Sequence, residues 1–545
     1  MKLWNRFLEW RKQRELEKTE FKYVVVGAGT GGCITAYTLA KHMEDAHIPG
    51  RVLLIDGGKA YVRDGGPHPR MWHWFDNWSK FAMVHDTLGI GFLPAPASSH
   101  LGVGGCGAHD TRITFYPTSA QRSRMANKMG WTSGQLSSYL QMALDMMPLQ
   151  SAGCGEKFYD AVLETLGRTR TLKRVPGDEF KAKIVQNSAA YVSIAMWPDE
   201  TRWTSAYLLE DGVRPKNLDV LTQYPVSKVL FDADKRAIGV SGASGRNPIL
   251  LDTRDQTSEV IVTAGSLGTP AILQRSGIGP HLVCEKLGIP PIAINEEVGH
   301  GVDHTEIAVT YEWLPRFNED GKPPRGGPMA WPIVMFIDDG VMAHFGISPP
   351  PYGGNEVTAT PNCMRPDASA GFRATIQSTD PSVPIQLVHA DPVRDITTLI
   401  RGVKKMVSVM DVLQANSVVG KRIAPALIDD KSIEQHIRSN ANTAYHWMST
   451  CKAGVDAATT VADEKFRVRG VQGLRIGSGA VLPELTEANP HLTISAFSIA
   501  LAYAITGTHP PIGINHKAQL TIRREGNNDV IANIAKSHGS SRGKD

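Results

Sequence analysis

Residues 22–58 read KYVVVGAGTGGCITAYTLAKHMEDAHIPGRVLLIDGG. A short apolar strand runs into a glycine turn, then a helix, then a second apolar strand that ends in an acid. That order is a βαβ unit. Gly27 permits the tight turn, Gly29 lets backbone approach a pyrophosphate, and Gly32 lets the helix pack close to the strand. The helix N-terminus offers free N–H groups and the positive end of its dipole to phosphates. Asp56 stands 24 residues after Gly32, near the spacing expected of a ribose-binding acid. A glycine turn alone is weak evidence, but with a strand before it, a helix after it and the acid in place, dinucleotide binding is the better reading. The motif does not choose between FAD and a nicotinamide cofactor.

Outward from this unit, 545 residues are too many for one simple core, so two closely packed domains are expected. Hydrophobic residues at 42% and charged residues at 21% fit a soluble globular enzyme. A net charge of +4 over this length is too small to argue for nucleic acid. The basic run Arg168–Arg174 reads as a solvated face. Six scattered cysteines with no CxxC pair read as free thiols in a reducing compartment rather than disulfides or a metal site. No run approaches the roughly 20 apolar residues of a bilayer span, and charges interrupt every stretch that resembles a secretory signal. An intracellular, non-secreted protein is expected.

Residues 1–20 stand apart. Leu3, Trp4, Phe7, Leu8 and Arg11 share one helical face and the rest is charged. Three readings stay open: a helix packed on the body, which is preferred; a contact for a partner protein or a membrane surface; and a mitochondrial targeting segment. Five basic side chains against one acidic in the first 14 residues favour the last, and Glu15, Glu17 and Glu20 oppose it. Residues 61–100, with Trp72, Trp74 and Trp78, read as irregular cover. Strands are expected in LDVLTQYPVSKVLFD (218–232) and EVIVTAG (259–265), and a helix over 393–415. The Pro- and Gly-dense region 315–365 reads as loops and short strands. From 516 the chain becomes a polar tail, which ends without the SKL peroxisomal signal.

Other segments point to one family. Gly265-Ser266-Leu267-Gly268-Thr269-Pro270, with Leu273 and Ser276-Gly277-Ile278-Gly279, resembles the second signature of the glucose-methanol-choline (GMC) oxidoreductases. HLGVGGCGAHDTRITFYP (100–117) resembles the first signature, the glycine loop beside the flavin. Echoes continue through 202–240, VGHGVDH (298–304), GVQGLRI (470–476) and NPHLT (489–493), so the resemblance spans roughly 21–510. It is closest to the choline oxidase and choline dehydrogenase branch. It implies an α/β (overall α+β) fold in which a discontinuous Rossmann-type FAD-binding domain carries an inserted substrate domain built on an antiparallel sheet. FAD-domain segments are expected at 21–160, 216–300 and 451–515, and substrate-domain segments at 161–215 and 301–450. The extension 1–20 and the tail 516–545 lie outside both.

The same resemblance implies FAD contacts at Gly27, Gly29, Gly32, Asp56, Gly104, Gly105, His109, Asp110, Val226, Ala480, Asn489 and Pro490. His109 takes the place of a histidine that choline oxidase bonds covalently to a flavin ring methyl. A histidine that only lines the pocket is the equal alternative. Asp110 stands where the family has Asn.

Oxidising an alcohol with flavin requires the hydroxyl proton and a hydride to leave one carbinol group. A histidine base suits the first event because its pKa lies near neutrality. ANTAYHWMSTCKAG (441–454) resembles the family's HxxGTCKMG segment. The resemblance makes His446 the general base, with Ser449 in place of Gly and Ala453 in place of Met. In NPHLT it makes Asn489 the partner that holds the alcohol oxygen, with His491 as a fallback. Tyr445 is a candidate for shaping the substrate cavity. The substrate is then a small-molecule alcohol, and the electron acceptor is oxygen, a quinone or an electron-transfer protein. Choline enzymes hold a quaternary ammonium with aromatic rings and a glutamate. The stretch read as matching, PMAWPIVMFIDDGVMAHFGISPP, offers Trp331 but has Pro332 where the glutamate is sought, and Asp338 and Asp339 do not align with the pocket, so choline is not favoured. Light-driven decarboxylation is not favoured either, since no cysteine lies between Cys284 and Cys363. The rival reading is an FAD-fold structural or accessory subunit, suggested by Asp110, Ser449, Ala453 and Ser478-Gly479-Ala480. Retention of His446, Asn489 and the glycines argues against it. A homo-oligomer is left open.

Overall fold

The computed structural model describes residues 15–58, 102–153, 156–176, 183–198, 202–243, 245–317, 331–338, 340–347, 356–363, 370–390 and 393–508, with short strands at 83–84, 88–90 and 98–99. The amphipathic start, most of the 61–100 cover and the polar tail lie outside the described residues. The elements that position the site are, in chain order, β1 (Tyr23–Val26), α1 (Thr30–Asp45), β2 (Val52–Ile55), α2 (Lys157–Arg168), β3 (Ser188–Tyr191), β4 (Leu218–Leu221), β5 (Glu259–Val262), α3 (Gly265–Arg275), β6 (Val309–Glu312), β7 (Ile333–Asp338), β8 (Val341–Ile347), β9 (Glu356–Cys363), α4 (Val393–Ala415), β10 (Leu474–Ile476) and α5 (His491–Thr506).

One layer is a parallel sheet in the order β4-β2-β1-β5-β10. Val24 lies between Leu53 and Val260 in register, and all three are fully buried. Uninterrupted apolar runs such as YVVV and VLLI suit a sheet covered on both faces. Helix α5 is apolar almost all round because it lies inside, in one core cluster with α1 and these strands.

The second layer is antiparallel. Its centre runs β6-β9-β8-β7-β3. One face packs Val309, Ile333, Ala343, Phe345 and Val357 against Leu399, Val403, Met406 and Met410 of α4 and Phe158 of α2. The helix expected over 393–415 is present with those limits. The region 315–365 departs from expectation, because it supplies β7, β8 and all of β9, and β8 and β9 are the longest strands among the described residues. Pro332 stands just before β7 and Pro361 lies within β9, so composition hid the alternating runs. Gly340, at φ 82°, makes the turn between β7 and β8. Arg168, Arg170, Lys173 and Arg174 are exposed, as a solvated basic run requires. Among the described residues no helix is long and apolar enough to cross a membrane.

Candidate active site

The glycine turn works as its spacing demands. Gly27 has φ 99°, and a Cβ there would meet the Ala264 backbone at 2.7 Å. A Cβ on Gly32 would come within 1.8 Å of the Gly27 carbonyl oxygen, so only glycine lets α1 lie this close to β1. A Cβ on Gly29 meets nothing nearer than Gly105 Cα at 3.8 Å. Gly29 is therefore the open position, at the N-terminus of a helix that no side chain caps. That is the geometry a pyrophosphate needs. Gly104 closes the other side: its N–H donates to the Ala28 carbonyl at 2.7 Å, and it and Gly105 have φ of 96° and 55°. A Cβ on Gly31 would strike Ser478 at 2.9 Å, which brings the turn containing Ala480 against the first turn of α1.

Asp56 sits at the end of β2 and accepts N–H bonds from Ala28 and Gly58, each at 2.8 Å, so it also braces the glycine turn. The Tyr224 N–H donates to the Asp56 carbonyl at 2.9 Å, which brings the start of the strand Val226–Phe231 to the same end of the sheet. His109 is buried after the 3-10 turn Gly105–Ala108. Asp110 lies between Arg202 at 3.0 Å and Arg112 at 3.5 Å. Burial opposes its ionisation, but the two guanidiniums hold its carboxyl below the usual range. These residues fit an FAD cradle.

Beyond the cradle, His446 and Asn489 are brought together although 43 residues separate them: the Asn489 Nδ2 lies 3.1 Å from His446 Nε2. Two further histidines extend this pair. His304 Nδ1 is 2.8 Å from His446 Nδ1, and its Nε2 is 2.7 Å from the Thr486 carbonyl oxygen. His344 Nε2 is 3.3 Å from Asn489 Oδ1. The direction of the chain follows from its end. A carbonyl can only accept, so His304 Nε2 carries the hydrogen. Burial lowers His304 to about 4, so it is neutral and its Nδ1 is an acceptor. His446 therefore donates from Nδ1. Burial, with His304 and His344 nearby, holds His446 well below its ordinary value, so it too is neutral and its Nε2 carries a lone pair. Asn489 donates to that lone pair, and its oxygen accepts from His344, which burial lowers to about 4.

Asp303 supports the pair from beneath. Its Oδ1 accepts the backbone N–H of His304 at 2.8 Å and of His446 at 2.9 Å, and its Oδ2 accepts from the Thr443 hydroxyl. Burial, with Asp395 adding to it, pushes this carboxyl up to about 7. Tyr445 has φ 59° and is 40% exposed, and its N–H is held by the Thr443 hydroxyl at 2.8 Å. A bulky side chain in that region is strained by about 1–3 kcal/mol.

Sequence reasoning missed His304, His344 and Asp303. The segment VGHGVDH was noticed but given no role. His491, the fallback, is buried beside Trp203 and within the field of Arg112, Asp110 and Arg202. Pro332 uses its carbonyl to hold the Val192 N–H at 2.9 Å, and the Trp331 indole donates to the Thr358 hydroxyl at 3.4 Å. Glu306, two residues after His304, pairs with Asn362, which pairs with Met342. Thr305 and Ile307 turn toward α4, so alternation puts Glu306 on the opposite sheet face, the one that carries His344. The departures that suggested an accessory subunit leave the framework intact: the Ser449 and Ala453 N–H groups donate to Gly479 and Val481 carbonyls, each at 3.0 Å.

Comparison with known proteins agrees. Choline oxidase of Arthrobacter globiformis is 24% identical over 531 residues, covering 88% of this chain and 93% of that protein. The oxygen-dependent choline dehydrogenase of Pseudomonas entomophila is 26% identical over 348 residues, covering 56% of this chain and 60% of that protein. A variant of Aspergillus oryzae formate oxidase superposes with a TM-score of 0.76 at 17% identity, over 91% of this chain and 99% of its own. Pyridoxine 4-oxidase from Mesorbium loti gives 0.75 at 18%, over 90% and 99%. At those identities the solved structures show a shared fold. Family models described as GMC oxidoreductase match residues 103–303 and 372–498, and the chain belongs to the GMC oxidoreductase family, as an FAD-dependent enzyme acting on CH–OH donors.

Proposed function

We propose that this enzyme oxidises a small alcohol with His446 Nε2 as the general base and Asn489 as the group that holds the alcohol oxygen. The observation that supports it is the directed hydrogen-bond chain from His344 to Thr486, which puts the acceptor lone pair of His446 on Nε2, on a side chain that is half-buried rather than sealed. An alcohol hydroxyl replaces Asn489 as donor to Nε2. The freed amide N–H then turns to the alcohol oxygen, while His344 keeps the amide oriented through its oxygen. The proton passes to Nε2, and His304 accepts from Nδ1–H of the cation that results. A base with a depressed pKa stays unprotonated at neutral pH, and the developing imidazolium is stabilised only when the alcohol delivers its proton. Gly27, Gly29, Gly32, Asp56, Gly104, Gly105, Asp110, Val226, Ala480, Asn489 and Pro490 would hold FAD, which when bound would supply the hydride acceptor.

His446→Ala should slow anaerobic flavin reduction at least about a hundredfold, the scale of a lost acid–base group. Reduction at the wild-type rate by the same alcohol would remove His446 from this role. The GGC-x-x-H resemblance gives His109 two equal readings, bonded to the flavin or only lining its pocket, and the first is put to the test. Acid precipitation should then leave the yellow colour in the pellet, and His109→Asn should release it to the supernatant. Colour in the supernatant of the unaltered enzyme would make His109 a pocket wall.

A further inference from the structure

The segment Leu485–Asn489 carries two members of the hydrogen-bond chain: the Thr486 carbonyl that ends it and directs His304, and the amide of Asn489. What holds that segment is remote in sequence. The helix Ser119–Lys128 places Gln121, which is 1% exposed, directly against it. The Gln121 side-chain amide donates to the Leu485 carbonyl at 3.1 Å and accepts the Glu487 N–H at 3.1 Å. These two bonds bracket Thr486 on both sides. One residue further on, the Glu487 carboxylate is held by Arg124 at 2.6 Å and by the Thr118 hydroxyl at 2.5 Å. The Thr118 oxygen also caps the helix by accepting the Gln121 N–H at 3.1 Å, so cap and clamp share one atom. Glu484, which is buried, is gripped by Arg124 at 3.2 Å and Lys128 at 2.8 Å.

We propose that Gln121, backed by Arg124 and Thr118, is a positioning residue for the catalytic pair: it fixes the Thr486 carbonyl, which sets the tautomer of His304 and through it the tautomer of His446. The inference rests on the reading of His446 as base. Its physical basis is that a carbonyl directs a histidine only while it stays within about 3 Å and in line with the N–H. An imidazole has two tautomers of similar energy, and the hydrogen bond made by one nitrogen decides which proton the other carries. A flexible 485–489 loop would let His304 rotate or change tautomer, and His446 would then lose its obligatory acceptor at Nδ1. A direct bidentate clamp around Thr486 prevents this at no cost in exposed polar groups, because the amide's donor and acceptor are both satisfied.

The test is the protonation state of the ring nitrogens, read by 15N-detected NMR on the FAD-loaded enzyme labelled at histidine, with His446 assigned by its loss in His446→Gln. In the wild type, His446 should show the Nδ1–H tautomer without titrating between pH 6 and 8. Gln121→Met keeps the volume and removes both bonds. It should give a mixed tautomer and, because the Nδ1–H of the His446 cation loses its acceptor, lower the proton affinity of His446 further, by about tenfold. If Gln121→Met does not fold, Glu487→Gln, which weakens the adjacent grip, should shift the same signals by a smaller amount. Unchanged tautomer and titration in a folded variant overturn the proposal, and so does a variant that only loses thermal stability or FAD while the His446 signals stay in place. The His446→Ala reduction experiment reports on the base separately, so failure of the clamp and failure of the base are told apart.

Discussion

At the scale of single residues, the site depends on which atoms carry hydrogen. Four side chains and one carbonyl form a line in which each N–H donor meets one acceptor, and His446 Nε2 is an acceptor within that line. Glu306 is the residue whose consequence is easiest to measure. It stands on the sheet face that carries His344. We propose that this face borders the alcohol site, where a carboxylate favours alcohols that carry a positive charge. Glu306→Gln should raise KM for choline about tenfold, the effect of losing roughly 1.4 kcal/mol, and leave KM for a neutral alcohol of similar size within about twofold. Equal effects on both would assign Glu306 to folding. His446 and Asn489 were legible because each lies in a run of residues resembling a family segment. His304 and His344 were not, since their partners lie 142 and 145 residues away and no local pattern encodes such a meeting.

At the scale of elements, the strand–turn–helix β1–α1 was legible in full, including the separate duty of each glycine. Gly32→Ala should abolish FAD retention. The new methyl meets the Gly27 carbonyl oxygen at 1.8 Å, and relief requires α1 to move off β1 and carry its N-terminus out of line with the phosphates. The check is the flavin-to-protein absorbance ratio after desalting. A full complement of flavin would show that the helix tolerates the shift. The strands of 333–363 were the least legible elements. Their apolar alternation is dense, but the flanking Pro and Gly residues dominate the composition, and pairing of Val341 with Cys363 or His344 with Thr360 is a long-range outcome.

At the scale of the whole molecule, burying histidines makes stability depend on pH. His304, His344 and His389 are lowered to about 4 and His491 to about 3, each mainly by burial. Between about pH 4 and 6.5 the unfolded chain binds protons at these sites and the folded chain does not, so stability falls as pH falls, by about 1.4 kcal/mol per group per pH unit. Asp303, raised to about 7, works in the opposite direction: its contribution is present at low pH and lost as pH rises toward 7. Four groups outweigh one. The melting temperature of the FAD-loaded enzyme should therefore drop steadily from pH 7 to pH 5, and a flat or rising curve would contradict the burial of these imidazoles as neutral groups.

The sequence by itself determined the dinucleotide-binding turn, the family resemblance, and the two residues proposed for the chemistry, because each is written in contiguous residues whose spacing has a direct steric or chemical meaning. The tertiary structure alone decided what directs those residues. The strand that carries His344, the turn that carries His304, the carbonyl of Thr486 and the amide of Gln121 come from four distant parts of the chain. A histidine's tautomer is set by what touches its other nitrogen, and that contact exists only once the two sheets and the helix Ser119–Lys128 have packed together.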